Sequence, residues 1–583
     1  MFKVKYKIMS LLASPVDVKP MRSAATHLDQ EVDYSAYMGG SETTYKTSPA
    51  SSYSASQVSF NVNPPSPQII VDRHVMIKCR VQVVLQGTPD AGSRLFQSGY
   101  DAFRQFPLAS VMSNLQLGVN NTTITEELSE ITHEQRLCEE GLRDQALFSA
   151  APCYPDESQE YDQLINTNRN PLSQYGEMSR GTPFRGGFNV RVIAGNAVDE
   201  TTATLEADIT EPLFISPLLW GKYENKGLYG VQNMNVVINW LSDLSRMWSS
   251  ANSSKVDTVA ASFSAPPELL FKYITPSAAM QLNDLKSLDY HFERTDVYKS
   301  QSLAFTAGQE QQMISPNIQL NVVPKYLMIF AKEQQSDRTF NTTDSWLSLE
   351  SLRVTFANNP SNFVGADKRE LYQICCRNGL DVSYPSWSGE DMQFVKGADS
   401  APVQGRGSVF ICKMSKDLSW SDPSICPGVP GTYNLQVQGQ FTNRKARDVN
   451  AVLYVCPIFS GVLTVAGNQA IQSNAVLSQE DVLRAQKSAN AGESAHASEA
   501  EGGSFWSDVL EYGRKSLPYV RGARKIGQAV TSGLPMSPQA MAAKTALDVA
   551  ESVGLGNGGV LTGGSVSGGK KLTKQELRKA LAM

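Results

Sequence analysis

The chain has 583 residues, 41% of them hydrophobic and 19% charged, with 42 glycines, 29 prolines and a formal net charge of −5. That length exceeds what one core ordinarily holds, and the glycine, proline and uncharged polar content suits strands joined by turns and long loops, so the fold class expected is mainly β. A net negative charge excludes a protein whose whole surface grips nucleic acid and leaves only local basic features.

Residues 1–55 are rich in Ser, Thr, Ala and Tyr without sustained periodicity, which predicts a flexible N-terminal arm. The opening "MFKVKYKIMSLLAS" looks like a signal peptide only superficially, because its apolar run is short. At 71–87, "VDRHVMIKCRVQVVLQG" alternates Val75, Ile77, Cys79, Val81, Val83 and Leu85 with polar or bulky neighbours, the pattern of a half-buried strand. "FPLASVMSNLQLGVNNTT" at 106–123 puts Leu115, Leu117 and Val119 on one side of an extended chain and ends in an Asn-Asn turn. Helical spacing follows at 125–148, and strand patterns recur at 186–195, 203–214, 231–241 and 266–275. Residues 56–284 therefore make a first β unit.

Around 285 the pattern restarts. "VVPKYLMIFAK" at 322–332 is continuously apolar after Pro324, consistent with burial on both faces. "WLSLESLRVTFANNPSNF" at 346–363 repeats the earlier strand and turn with Leu352, Val354 and Phe356, and the helical stretch 366–379 sits where 125–148 sat. Strands at 408–414, 433–443 and 450–467 complete a second unit, 285–470. Two tandem units on one plan, each with about eight short strands and helical insertions, fit paired eight-stranded jelly rolls.

No constellation for catalysis appears. The histidines, at 27, 74, 133, 291 and 496, lack metal-ligand spacing to one another or to cysteine, and no phosphate loop, G-x-S-x-G or G-x-G-x-x-G element is present. His74, in a strand, reads as structural; adjacent Cys375 and Cys376 on a helix point to different faces. The eight cysteines have no C-x-x-C pair and read as buried thiols of a reducing compartment. The expectation is no enzyme, no metal and no cofactor. A β-sandwich glycosidase with two distant carboxylates stands as the enzymatic alternative.

"VPKYLMIFAK", "RELYQICCRNG", "GSVFICKMSKDLSW", "CPGVPGTYNLQVQGQFTN" and "SGVLTVAGNQA" resemble the distal part of double jelly-roll major capsid proteins. These are the capsid proteins of polinton-like viruses, virophages and adintoviruses, in the lineage of adenovirus hexon and tailless-phage capsids, and "LSQEDVLRA" at 477–485 is similar to the same family. The resemblance implies a homotrimer forming a pseudo-hexameric capsomer of an icosahedral DNA-virus shell, with neighbouring capsomers and penton or minor capsid proteins as partners. The alternative from composition is a non-viral β-sandwich adhesion or surface-layer protein.

Residues 471–583 form a C-terminal tail: a helix at 478–488, a small polar linker, a basic amphipathic segment at 505–530, a helix at 537–554 that opens on Ser537 and Pro538, and a basic terminus at 570–583. Phe505 and Trp506 stand beside Arg514, Lys515, Arg521, Arg524 and Lys525, a combination suited to a neighbouring capsomer, an internal membrane interface or DNA phosphates. Lys570, Lys571, Lys574, Arg578 and Lys579 extend the cationic character. Gly563, Gly564 and Ser565 in "LTGGS" resemble the cleavage pattern of adenovirus-type proteases.

Overall fold

The computed structural model describes most of residues 42–138, 190–275 and 288–483, with short gaps. All lie within one compact unit, residues 1–486. The chain opens with strands β1 (Glu42–Pro49), β2 (Gln57–Val62), β3 (Met76–Gly87), β4 (Met112–Val119) and β5 (Thr122–Glu126). Helix α1 (Leu128–Cys138) follows, then β6 (Arg191–Gly195), β7 (Thr202–Pro212), β8 (Met234–Trp240), β9 (Val256–Phe263) and β10 (Glu268–Thr275). One sheet runs β1–β10–β3–β7–β6, with β9 also on β3; the facing sheet runs from Ser52–Tyr53 through β2, β8 and β4 to β5. Ile77, Cys79, Val81, Val83 and Leu85 of β3 meet Leu115, Leu117 and Val119 of β4 in a common core, as the period-two alternation of both strands requires.

The plan then returns. β11 (Leu288–Thr295), β12 (Glu310–Ile314), β13 (Ile318–Val322), β14 (Tyr326–Glu333), β15 (Ser348–Phe356) and β16 (Asn359–Asn362) precede helix α2 (Lys368–Arg377). β17 (Val409–Lys413), β18 (Pro430–Thr442), β19 (Val449–Ala466) and β20 (Gln469–Ser473) complete it. The sheets are β11–β19–β14–β17 and β12–β18–β15–β16, with β13 also on β18 and β20 on β19. With β6 and β20 set aside as additional edge strands, β9 and β10 sharing the first roll's eighth position and β12 and β13 the second roll's second, both rolls have one sheet ordered first–eighth–third–sixth and one ordered second–seventh–fourth–fifth. That order is the jelly roll, and α1 and α2 occupy the same place in it, after the fifth strand.

The strand-and-turn motif spelled twice is the fourth and fifth strands of each roll. Asn120 sits at φ +52° in the first turn, and Ala357 and Asn358 at +47° and +64° in the second. Asparagine tolerates this left-handed region better than most residues, which is why both turns are written with it. β14 is buried along its length: Leu327 to Ala331 are at most 1% exposed. Burying each of its larger side chains stabilises by about 1.5–3 kcal/mol, which helps offset the desolvation of Lys332 and Glu333 at its end.

Some elements differ from the sequence reading. The end of the expected arm is a ladder strand, since β1 pairs with β10 from Glu42↔Thr275 to Pro49↔Glu268. Thr43, Tyr45, Lys46 and Thr47 are all exposed at a sheet edge, so it lacks the apolar alternation that marks a strand. β9 was likewise unmarked because most of it is solvent-facing. α1 is described to Cys138, and the rest of the helical stretch expected to 148 lies outside the described residues. Of the helix expected at 478–488, Gln479, Val482 and Leu483 are helical, and Val482 packs with Leu477 and Val429.

Candidate functional site

The described residues concentrate their buried charge where the two rolls meet. Docking is reciprocal: Ile131 and Cys138 of α1 belong to the second roll's core, while Tyr290 and Phe292 of β11 belong to the first roll's core. Gly379, just beyond α2, marks how close the approach is. Its φ is +103°, and a Cβ there would lie 2.5 Å from the carbonyl oxygen of Cys138.

Two arginines of the first roll hold a loop of the second. Arg104 is fully buried and donates from Nη2 to the carbonyls of Thr339 and Thr342, at 2.9 and 2.6 Å, and from Nε to the Trp248 carbonyl at 3.1 Å. Arg246 donates from Nη1 to the same two carbonyls, at 2.7 and 3.1 Å. Both reach Asp344, Arg104 through Nη1 at 3.3 Å and Arg246 through Nη2, and His133 of α1 lies 3.8 Å away. Burial pushes the Asp344 carboxyl up, but Arg246, Arg104 and His133 outweigh it and hold it well below the usual carboxylate range.

Helix α1 supplies the opposite sign. Glu130 and Glu134, 3% and 1% exposed, lie one turn apart and face the second roll. Lys332 of β14 donates to Glu134 Oε1 at 2.8 Å and to the Glu130 carbonyl at 2.6 Å, and Trp346 Nε1 donates to Glu134 at 2.8 Å. Glu130 Oε2 accepts from Arg338 at 2.9 Å and from the Tyr454 hydroxyl at 3.0 Å, while its Oε1 accepts from Lys299 at 3.2 Å. Burial acts to raise the Glu130 carboxyl, yet Arg338, Lys332 and Lys299 keep it ionised well below its ordinary range. Burial alone raises the Tyr454 phenol, and the Glu130 charge adds to that.

In the third part of the seam Glu293 pairs with Lys325 at 2.7 Å and Asp296 with Arg294 at 2.9 Å, but Glu126 has no cation paired with it among the described residues. The outer edge of β11 is met by first-roll side chains: the Thr295 amide donates to Glu126 Oε1 at 3.2 Å, and the Glu293 amide to Ser216 Oγ at 3.0 Å. Gln135 donates to the Thr295 hydroxyl at 2.8 Å. Glu126 Oε2 is buried without a hydrogen-bond partner among the described residues. Desolvation lifts its carboxyl to about 8, against the Thr295 amide and with help from Asp296. Beside it, β5 and β11 wall a groove of about 500 Å³ lined by Thr123, Thr125, Arg294, Asp296 and Tyr298.

These carboxylate–cation sets pair first-roll side chains with second-roll ones across the seam, an arrangement suited to holding two bodies together. Among the described residues no His, Cys, Asp and Glu group is placed to hold a metal ion, and no helix is long and apolar enough to cross a membrane. His74 is half-buried, its amide donating to Asp72; Cys375 is buried and Cys376 exposed, on different faces of α2. The tail candidates Phe505, Trp506, Arg514, Lys515, Arg521, Arg524, Lys525, Lys570, Lys571, Lys574, Arg578 and Lys579, with Gly563, Gly564 and Ser565, lie outside the described residues. Sequence reasoning did not reach the seam residues. The one available signal was Glu130 and Glu134 flanking Ile131 on a helix, carboxylates beside an apolar position on the same face.

Comparison with known proteins gives a consistent result. Residues 19–282 match the family described as Sputnik virophage major capsid protein, first domain, and residues 292–461 match the major capsid protein V20 C-terminal domain. The putative capsid protein V20 of Sputnik virophage is 27% identical over 610 aligned positions, spanning 99% of this chain and all of that protein. A capsid chain in the cryo-EM structure of the Sputnik virophage superposes with a TM-score of 0.70 at 25% identity, covering 76% of this chain and 90% of the other. The crystal structure of the mavirus major capsid protein shares the fold, with a TM-score of 0.63 at 16% identity over 76% and 92% of the two chains. These matches displace both the adhesion and the glycosidase alternatives.

Proposed function

Because the chain belongs to the virophage major capsid protein family and is a structural, non-catalytic component of the virion shell, we propose that it works as a homotrimer. Three pairs of rolls close into a capsomer with six similar lobes that tiles an icosahedral shell. The observation that carries this reading is the repetition itself: two rolls with one strand order, joined through a sealed seam, present one plan six times when three copies meet. The two lobes run from β1 at Glu42 to about 284 and from about 285 to Ser473, the last residue of β20, and the segments before and after them, 1–41 and the tail beyond Leu483, are the extensions that reach neighbouring capsomers and penton or minor capsid proteins.

Within the tail, the basic segment 505–530 and terminus 570–583 contact a neighbouring capsomer, an internal membrane or the genome, and Gly563–Gly564–Ser565 is a processing site. Their composition supports this: cationic residues near Phe505 and Trp506 in the sequence, and a glycine-rich stretch that carries the Gly-Gly-Ser sequence. Light scattering on the full-length protein tests the trimer. A mass near three times the 63.7 kDa chain is expected, and a stable monomer at micromolar concentration overturns the reading.

A further inference from the structure

The equivalence of the rolls can be fixed residue by residue. In the second roll Tyr326 opens β14 opposite Lys413 and Ile458, and Ile458 also faces Thr295 of β11. In the first, Met76 opens β3 opposite Pro212 and Leu270, and Leu270 also faces Thr47 of β1. Thr47 is therefore the counterpart of Thr295, and Tyr45 of Glu293. On the other side of each roll, Leu117 faces Ile124 and Val354 faces Asn362. Glu126 is the last residue of its strand, whereas in the second roll the strand ends at Asn362 and the chain turns at Phe363 (φ +64°) before Val364, so Val364 is the exposed residue that stands nearest in sequence to the place of Glu126.

Within the chain these positions are in contact, since Glu126 accepts the Thr295 amide and Ser216 that of Glu293. Their counterparts make no such contact with another roll among the described residues, Tyr45 meeting only the Lys272 ammonium of its own roll, 5.4 Å from the ring centre. The Asp72 amide bonds the Lys272 carbonyl on the β3 side of β10, so the backbone groups of Lys272 turn away from β1. Those of Tyr45, opposite Lys272, consequently point outward, as do those of Thr43 and Thr47. Tyr45 is 75% exposed and Val364 62%. The helices differ in the same sense: α1 buries Glu130, Glu134 and Gln135 at the seam, whereas α2 leaves Arg369, Glu370, Gln373, Cys376 and Arg377 exposed.

We propose that the outer edge of β1 in one copy of this chain docks on the Val364–α2 face of a second copy, repeating between chains the joint that Thr295 and Glu126 make within one. The proposal rests on the trimer reading and names the surfaces that close it. A twofold pairing of β1 with β1 would leave α2 uncovered; only head-to-tail contact covers both faces, and such a contact closes into a ring of three when successive copies are related by a threefold rotation. The chemistry also changes in step: where the internal joint sets a carboxylate against an amide, the external one sets exposed Tyr45 and Val364 as apolar anchors, with Glu370 and Gln373 as acceptors for the open amides.

The test uses the full-length protein. Tyr45→Glu and Val364→Glu are each expected to weaken the trimer at least tenfold by light scattering across a dilution series while leaving the melting transition in place. In the wild-type trimer, hydrogen exchange at the amides of Thr43, Tyr45 and Thr47 should be slow, and it should become fast in the dissociated Y45E chain. A wild-type trimer in which these amides exchange freely, or whose mass neither substitution changes, overturns this joint and leaves the trimer standing. A wild-type monomer removes the trimer reading itself and this proposal with it.

Discussion

Lys332 donates a 2.8 Å hydrogen bond to Glu134 across the seam, with the lysine side chain 7% exposed and the glutamate 2%. Neither partner reaches bulk water, so each depends on the other for compensation of its charge. Lys332→Met leaves Glu134 buried with only Trp346 and deprives Glu130 of a cation, and should cost about 3–5 kcal/mol. Combining it with Glu134→Gln should recover part of the loss. Urea unfolding of the two variants measures this, and equal stabilities for the wild type and K332M would show that the pair is not coupled.

Glu126 gives the seam a pH dependence of opposite sign to that of its charged neighbours. Its folded carboxyl titrates near 8, above the unfolded value, so between about pH 4.5 and 8 the folded chain holds a proton that the unfolded chain has released. Its contribution is therefore present at low pH and lost as pH rises through that window. Glu130 and Asp344 run the other way, their depressed values giving stability that is lost as pH falls below the ordinary carboxylate range. Glu126→Gln should melt several degrees above the wild type at about pH 8.5 and close to it at about pH 5. A constant offset across that range would refute the assignment.

Gly379→Ala tests the closeness of the two rolls independently of charge. The substitution adds a Cβ 2.5 Å from the Cys138 carbonyl oxygen, at a φ of +103° that L residues rarely adopt. A loss of about 1–3 kcal/mol is expected from the backbone term alone, with more from displacing the end of α1. Calorimetry on the single variant decides it; a neutral substitution would mean that α1 yields easily.

Truncation after Gln486 separates folding from shell assembly. Every core residue among the described residues precedes that point, so the truncated chain should melt with the full-length protein while assembling into closed shells less efficiently. Electron microscopy of both chains under one assembly condition reads the second effect. Unimpaired shells from the truncated chain would assign the tail to a role after assembly.

The repeated plan was legible because β3, β4, β14 and β15 carry strong apolar alternation or continuous apolar runs, and because Asn120 and Asn358 mark turns with a special backbone requirement. β1 and β9 were not legible, since an edge strand facing water is written in Thr, Ser, Lys and Ala with little contrast between faces. The seam was hidden for another reason. Arg104 reaches Asp344 from 240 positions away and Arg246 reaches it from 98, and no local pattern announces a pairing set by how two finished sandwiches lean together.

The exchange of side chains at the joint bears on how the polypeptide matures. With Ile131 lodged in the second hydrophobic interior and Tyr290 in the first, neither half can complete its own interior before the other is present. A ribosome-bound N-terminal half would hold an unfinished surface until residue 290 and beyond emerge. The pair should accordingly fold and melt as a single cooperative block, visible as one calorimetric peak where two autonomous modules would give two.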